Sequence, residues 1–142
     1  ETVKKFGWPP DIIHCHGWMT SLIPFYLKTV YNNEPIFEQS NIIYSAYSNK
    51  YESTFTKKFF EIAAINQLDG EDLSDFNVKN KVKLLQGGIK YADAIVKGDE
   101  NLPDEITALI SEQGKPTLES FSEEEIAQEM VNFYNGLFEK VS

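Results

Sequence analysis

Cysteine is nearly absent from this sequence. Cys15 is the one thiol in 142 residues, so no internal disulfide can staple the fold. A lone thiol inside a short apolar run fits a reducing compartment, and a cytoplasmic location is expected. Histidine is equally scarce. With His14 and His16 alone, a metal centre would need a third ligand of another type, and no Asp or Glu stands beside the pair at ligand spacing, so no metal is expected. No apolar run approaches the roughly 20 residues of a membrane-crossing helix, and Glu1 to Pro10 lacks the pattern of a secretory leader. A soluble chain with no membrane partner is expected. Basic side chains number 13 against 22 acidic ones, and the net charge of -9 repels phosphate backbones. Nucleic acid is excluded as a partner. Neither a Gly-x-Gly-x-x-Gly nor a phosphate-loop pattern occurs, so no nucleotide cofactor is expected. Gly87-Gly88 falls inside a helical stretch, where it reads as a close approach of helix to sheet.

What is present is an alternation of strands and helices. Asp11 to Cys15 is a β-branched run behind Trp8-Pro9-Pro10 and predicts a buried strand. Met19, Ile23, Tyr26, Leu27 and Val30 recur at helical spacing, predicting a helix from Trp18 to Tyr31 that Pro24 would kink, unless it sits where backbone bonding is already loose. Asn41 to Ala46 reads as a second strand. A helix is expected from about Thr56 to Leu68, burying Phe59, Ile62 and Ala63, and another from about Phe76 to Tyr91, burying Val78, Val82, Leu85 and Ile89. Ala94-Ile95-Val96 reads as a third strand. Asn101 is a candidate cap for a helix that stops at Gly114, and Lys115 to Glu119 is a short edge strand. Ser122 and Glu125 form a capping box, with Phe121 and Ile126 as its hydrophobic staple, for a last helix whose inner face carries Ile126, Met130, Phe133, Tyr134, Leu137 and Val141.

This order predicts an α/β fold: a three-layer, Rossmann-like parallel sheet with helices on both faces and ligands bound beyond the C-terminal strand ends. Residues 1–121 are expected to form that partial domain, and 122–142 a helix packing back on it. On the first strand His14 and His16 share a face, with Cys15 on the other. A buried His14 bonded to backbone and an exposed His16 are expected. Tyr44 reads as core, whereas Tyr47 and Tyr51 lie in a polar loop where a ligand could meet them.

The run Pro10-Asp11-Ile12-Ile13-His14-Cys15-His16-Gly17-Trp18, followed by Leu22-Ile23-Pro24-Phe25-Tyr26-Leu27-Lys28, resembles the glycogen and starch synthase family. There a strand reading "Pro-Asp-Val-Val-His-x-His-Asp-Trp-His" leads into "Leu-x-Pro-x-Tyr-Leu-Lys". Gly88-Ile89-Lys90-Tyr91-Ala92-Asp93 is similar to the family segment "Gly-Ile-x-Tyr-Ala-Asp". The resemblance covers roughly Phe6 to Ile110, and it implies the N-terminal half of a GT-B glycosyltransferase that moves glucose from ADP- or UDP-glucose to an α-1,4-glucan.

Departures from the family pattern imply that this chain is inactive alone. Gly17 and Met19 stand where the family has Asp and His, Ala46 and Tyr47 where it has "His-Asn", and Gly98 and Asp99 where it has "Val-Ser". The 142 residues contain no Lys-Thr-Gly-Gly-Leu loop and no donor-binding domain. No catalytic residue is therefore assigned. His16, Trp18, Tyr47 and Tyr51 are the candidate glucan-binding residues, and α-1,4-glucan and a donor-domain-containing synthase are the expected partners. A protein-interaction domain without carbohydrate affinity is the alternative.

Overall fold

The computed structural model describes residues 2–48, 58–79, 81–120, 122 and 124–138. Along the chain run α1 (Thr2–Phe6), β1 (Ile12–His16), α2 (Leu22–Lys28), β2 (Asn41–Ala46), α3 (Lys58–Ala63), β3 (Asn77–Val78), β4 (Lys81–Val82), α4 (Leu84–Tyr91), β5 (Ala94–Lys97), α5 (Asp104–Gln113), β6 (Thr117–Leu118) and α6 (Ile126–Phe138). β1, β2, β5 and β6 form one parallel sheet in that spatial order, and β3 and β4 form a small antiparallel hairpin.

Strands that follow one another in space as they do in sequence, joined by crossovers of one hand, put their connecting helices on one face. On that face Cys15, Tyr44 and Ile95 meet Leu85 and Ile89 of α4 and Ile106 and Ile110 of α5. Phe25 of α2, Ala63 of α3, Leu73 and Phe76 extend the layer. On the opposite face Ile43, Ala94 and Val96 cluster with Leu137 of α6, and Met130, Phe133 and Tyr134 pack at the margin. The architecture is thus a three-layer, Rossmann-like α/β domain. β2 lies between two neighbours and under two layers, and its side chains from Ile42 to Ala46 are all buried, as an interior parallel strand requires.

Glycines in α4 let the layers touch. A Cβ on Gly88 would lie 2.7 Å from the Tyr44 ring of β2, and one on Gly87 only 2.1 Å from Phe76. The pair is therefore a site of close helix-to-sheet approach.

Several local expectations are corrected. The helix expected over Trp18 to Tyr31 is a 3-10 turn (Trp18–Thr20) followed by α2. Pro24 is the third residue of α2, where no intrahelical N–H bond is needed, so of its two expected placements the one at loose backbone bonding holds and the kink does not. Ile62 is 69% exposed, because α3 packs through Phe59, Phe60 and Ala63, with Ala64 following, and Ile62 lies well round the helix from the centre of that face. Val78 and Val82 belong to the β3–β4 hairpin and not to a helix face. Between them Lys79 adopts a left-handed φ of 52°, and the Lys83 N–H returns to the Phe76 carbonyl at 2.8 Å. α5 begins after Pro103, whose carbonyl accepts from Ile106 and Thr107 at 2.9 and 3.0 Å. Leu102, preceding a proline, is disfavoured in the helical region, which rules out a start at Asn101. Gly114 ends α5 with φ 60°, as its position predicts.

At the start of α6 the carbonyl of Ser122 accepts from the N–H groups of Glu125 and Ile126, while its hydroxyl donates to the Glu125 carboxylate at 2.8 Å. The side chains of the expected capping box thus bond each other. Phe121 and Val141 lie outside the described residues. α1 was not legible in the sequence.

Candidate functional site

The C-terminal ends of β1, β2 and β5 carry the residues the sequence singles out. β1 ends at His16, and Gly17 follows with φ 70° and ψ -179°. That region is open essentially to glycine alone. Gly17 N–H donates to the Ser45 carbonyl at 3.0 Å, extending the β1–β2 ladder by one bond, while the Thr20 hydroxyl donates to the carbonyls of His16 and Gly17 at 3.0 and 3.1 Å. Below this turn the buried Tyr44 hydroxyl donates to the Gly17 carbonyl at 3.1 Å and bonds Ser21 Oγ at 2.6 Å. The turn is therefore fixed from both sides. The Asp-to-Gly departure at position 17 has a structural use, since aspartate does not adopt this backbone readily.

Tyr47 leaves β2 half-buried and lies beside the turn. Its hydroxyl is 3.3 Å from His16 Nδ1, and its ring fills the space above Gly98, where a Cβ would come within 2.3 Å of Cε1. A Cβ on Gly17 would be 3.9 Å from the same ring. The two departures at positions 47 and 98 are thus one packing unit: the tyrosine occupies the volume that a side chain at 98 would take. Gly98 N–H donates to the Ala46 carbonyl at 2.8 Å, and the Asp99 carboxylate accepts the Ser48 N–H, tying the two strand ends together. Replacing Gly98 with alanine is expected to push the Tyr47 ring off its seat. Loss of nuclear Overhauser contacts between that ring and residue 98 would report it.

The structure brings His16 and Tyr47 together. Trp18 is half-buried and packs against the helical-layer cluster that includes Phe25, Leu73 and Phe76. Tyr51 lies outside the described residues. Among the described residues, no group of three His, Cys, Asp or Glu side chains could hold a metal ion.

His14 is corrected in one respect. Its ring is half-buried and bonded to side chains rather than backbone: Nε2 to Ser45 Oγ at 2.7 Å and Nδ1 to Tyr134 Oη at 2.6 Å. The ring also stacks on His16 with centroids 4.0 Å apart. Sequence reasoning missed Ser45 and Tyr134 as its partners. The one available signal was a serine within an otherwise apolar interior strand. Each hydroxyl can donate or accept, so a neutral ring is satisfied on both nitrogens. Burial, and then the neighbouring His16, lower the His14 pKa to about 4. On the other face, burial pushes the Cys15 thiol up to about 11, which makes it a poor nucleophile.

The His14 shift sets a pH dependence. The unfolded ring binds its proton near pH 6.5 and the folded ring near 4. Protons therefore favour unfolding: the stabilisation is complete above about pH 6.5 and falls as the pH drops toward 4. For a half-exposed ring the loss is expected to be about 1 to 3 kcal/mol. Urea melts between pH 7 and 5 would show it, and His14→Gln should flatten the slope.

Comparison with known proteins now adds to this geometry. Residues 1–121 match the family described as "Starch synthase catalytic domain". The chain belongs to this family. It is 33% identical over 111 residues to the glycogen synthase of Chlorobium luteolum, covering 75% of this chain and 22% of that protein. It is 31% identical over 107 residues to the glycogen synthase of Elusimicrobium minutum, with the same coverage of 75% and 22%. With the glycogen synthase of Thermotoga maritima it shares 31% identity over 99 residues, 67% of this chain and 19% of the relative. The chain thus spans about a fifth of the length of the curated relatives it matches. The His14–His16 strand, the Pro24 helix and the Gly88–Asp93 segment carry the resemblance to this starch synthase family. The structure places the first two around one turn at the C-terminal strand ends, and the third over the end of α4 and its link to β5.

Proposed function

We propose that these 142 residues are part of the N-terminal half of a GT-B glycosyltransferase of glycogen biosynthesis. In this reading they bind α-1,4-glucan at the C-terminal ends of β1 and β2 and do not transfer glucose by themselves. The observation that carries the glucan reading is the His16–Tyr47 pair, a ring and an imidazole held side by side over a glycine turn. An aromatic face packs against the C–H face of a sugar, while the phenol and ring nitrogen serve its hydroxyls. Trp18, packed against the helical layer beside the turn, and Tyr51 are the outlying members of the proposed set.

The inactivity reading has separate support. Glycosyl transfer from a nucleotide sugar needs cationic groups on the leaving diphosphate, and arginine is the usual bidentate partner. The 13 cationic side chains of this chain are all lysines; Lys97, at the end of β5, is held by Glu119 at 2.9 Å, and Gly17, Ala46 and Gly98 present no polar side chain at the strand ends.

Calorimetric titration with maltohexaose tests the binding: saturable heat that Tyr47→Ala abolishes is expected, and its absence overturns the glucan reading. Radiolabelled transfer from ADP-glucose tests the other half, where any turnover by these residues alone contradicts it. A second reading, docking on a donor-domain-containing synthase, is favoured by the large apolar side chains Phe6 and Trp8, which are 80% and 71% exposed. Co-sedimentation with such a chain in the absence of glucan would distinguish it.

A further inference from the structure

At the opposite end of the sheet lies a groove of about 800 Å³, within the range of small-ligand sites. Its position follows from the fold. Lys28, in the last turn of α2, pairs with Asp93 at 2.7 Å, and the other oxygen of Asp93 accepts the Ile42 N–H at 2.9 Å. The end of α2 therefore sits by the N-terminal ends of β2 and β5, away from His16 and Tyr47. The groove opens between the segment after α2 and the segment after α3.

Its lining has a definite chemistry. Asn32, Asn33, Asn66 and Gln67 put four carboxamides around one concavity, and none of these side chains makes a hydrogen bond to another described residue. Each amide offers two donor hydrogens and an acceptor oxygen. Thr29 adds a hydroxyl and Asp72 a carboxylate, while Val30 and Leu68 supply an apolar strip. No lysine lines the groove, and the chain carries a net charge of -9, so a phosphorylated or otherwise anionic ligand is repelled. Four neutral carboxamides and a hydroxyl, with the Asp72 carboxylate already accepting the Asp69 N–H at 2.8 Å, give mixed donor and acceptor capacity beside a small apolar strip, which matches a polyhydroxylated chain, whose hydroxyls both donate and accept and whose C–H faces are apolar.

We infer that this groove is a second site, for a neutral oligosaccharide, at the end of the sheet remote from the family motif residues. It stands independently of the reading of His16 and Tyr47. Two such sites at opposite ends would let one domain hold a polysaccharide at two points, raising its retention through effective concentration.

The test follows side-chain amide NMR signals of Asn32, Asn33, Asn66 and Gln67 during titration with maltohexaose. Saturable shifts are expected at up to about 10 mM sugar, the regime of a weak millimolar site. Asn66 has φ 56°, so Asn66→Gly keeps its left-handed backbone while removing the amide. Combined with Gln67→Ala at an exposed position, it should weaken the groove binding about tenfold without moving the melting temperature. In Tyr47→Ala the groove shifts should persist, which separates this site from the one at the other end. Amide signals that stay still throughout the titration, or shifts retained in full by the double variant, overturn the inference.

Discussion

Replacing Gly87 with alanine is expected to destabilise the domain by about 3 kcal/mol, at the upper end of the range for overpacking a core. Helix propensity alone says the opposite, since alanine in a helix interior is better than glycine by about 1 kcal/mol. Space decides the sign. The added Cβ would stand 2.1 Å from Cε1 of Phe76 and 2.4 Å from Cζ. Phe76 is fully buried and cannot swing away, because it meets Phe25 edge-on with centroids 5.5 Å apart and lies parallel to Tyr91 at 6.3 Å. Urea unfolding of wild type and variant would read the difference directly, and the melting temperature should fall by about 10 °C. A variant as stable as wild type would mean that α4 and the Phe76 segment do not approach as described.

Removing residues 121–142 is expected to have a larger effect, unfolding or aggregating what remains. α6 is what covers Ile43, Ala94 and Val96 on its side of the sheet. Leu137 is buried, and burying a side chain of that size contributes roughly 1.5 to 3 kcal/mol. Met130, Phe133 and Tyr134 are half-buried against the same cluster and raise the total to about 5 kcal/mol, close to the whole stability of a small domain. The truncation also frees His14 from Tyr134 and leaves a half-buried imidazole with one partner lost. Circular dichroism and size-exclusion chromatography of the truncated chain would show the outcome. A monomer with an unchanged melting temperature would show that α6 is an appendage.

The strands were the most legible part of the fold. β1, β2 and β5 are β-branched runs bounded by Pro9-Pro10, by Ser40-Asn41 and by Asp93, and the structure places them within a residue of those runs. Local chemistry also located the end of α5 at Gly114, where only the backbone of one residue mattered. What failed depended on pairing across sequence. Val78 and Val82 fit a helical period as well as a hairpin, and the choice rested on the left-handed backbone of Lys79. Ile62 fell outside the buried face because α3 packs through Phe59, Phe60 and Ala63, a face centred well round the helix from Ile62.

The site divides in the same way. Alternation along β1 put His14 and His16 on one face and Cys15 on the other, as found. The partners of His14 come from 31 and 120 residues away, beyond the reach of any local pattern. Gly17, Tyr47 and Gly98 read singly as losses from a family motif. Only their juxtaposition shows that the first permits the turn and that the last makes room for the tyrosine.

The proposed glucan site is tested most directly by the backbone amide signals of Gly17 and Gly98 and the ring signals of Tyr47 as maltohexaose is added. If glucan binds at the ends of β1 and β2, these signals move together and saturate by about 10 mM sugar, and they lose that response in Gly98→Ala. Signals that remain fixed across the titration, while the protein stays folded, would contradict the proposal.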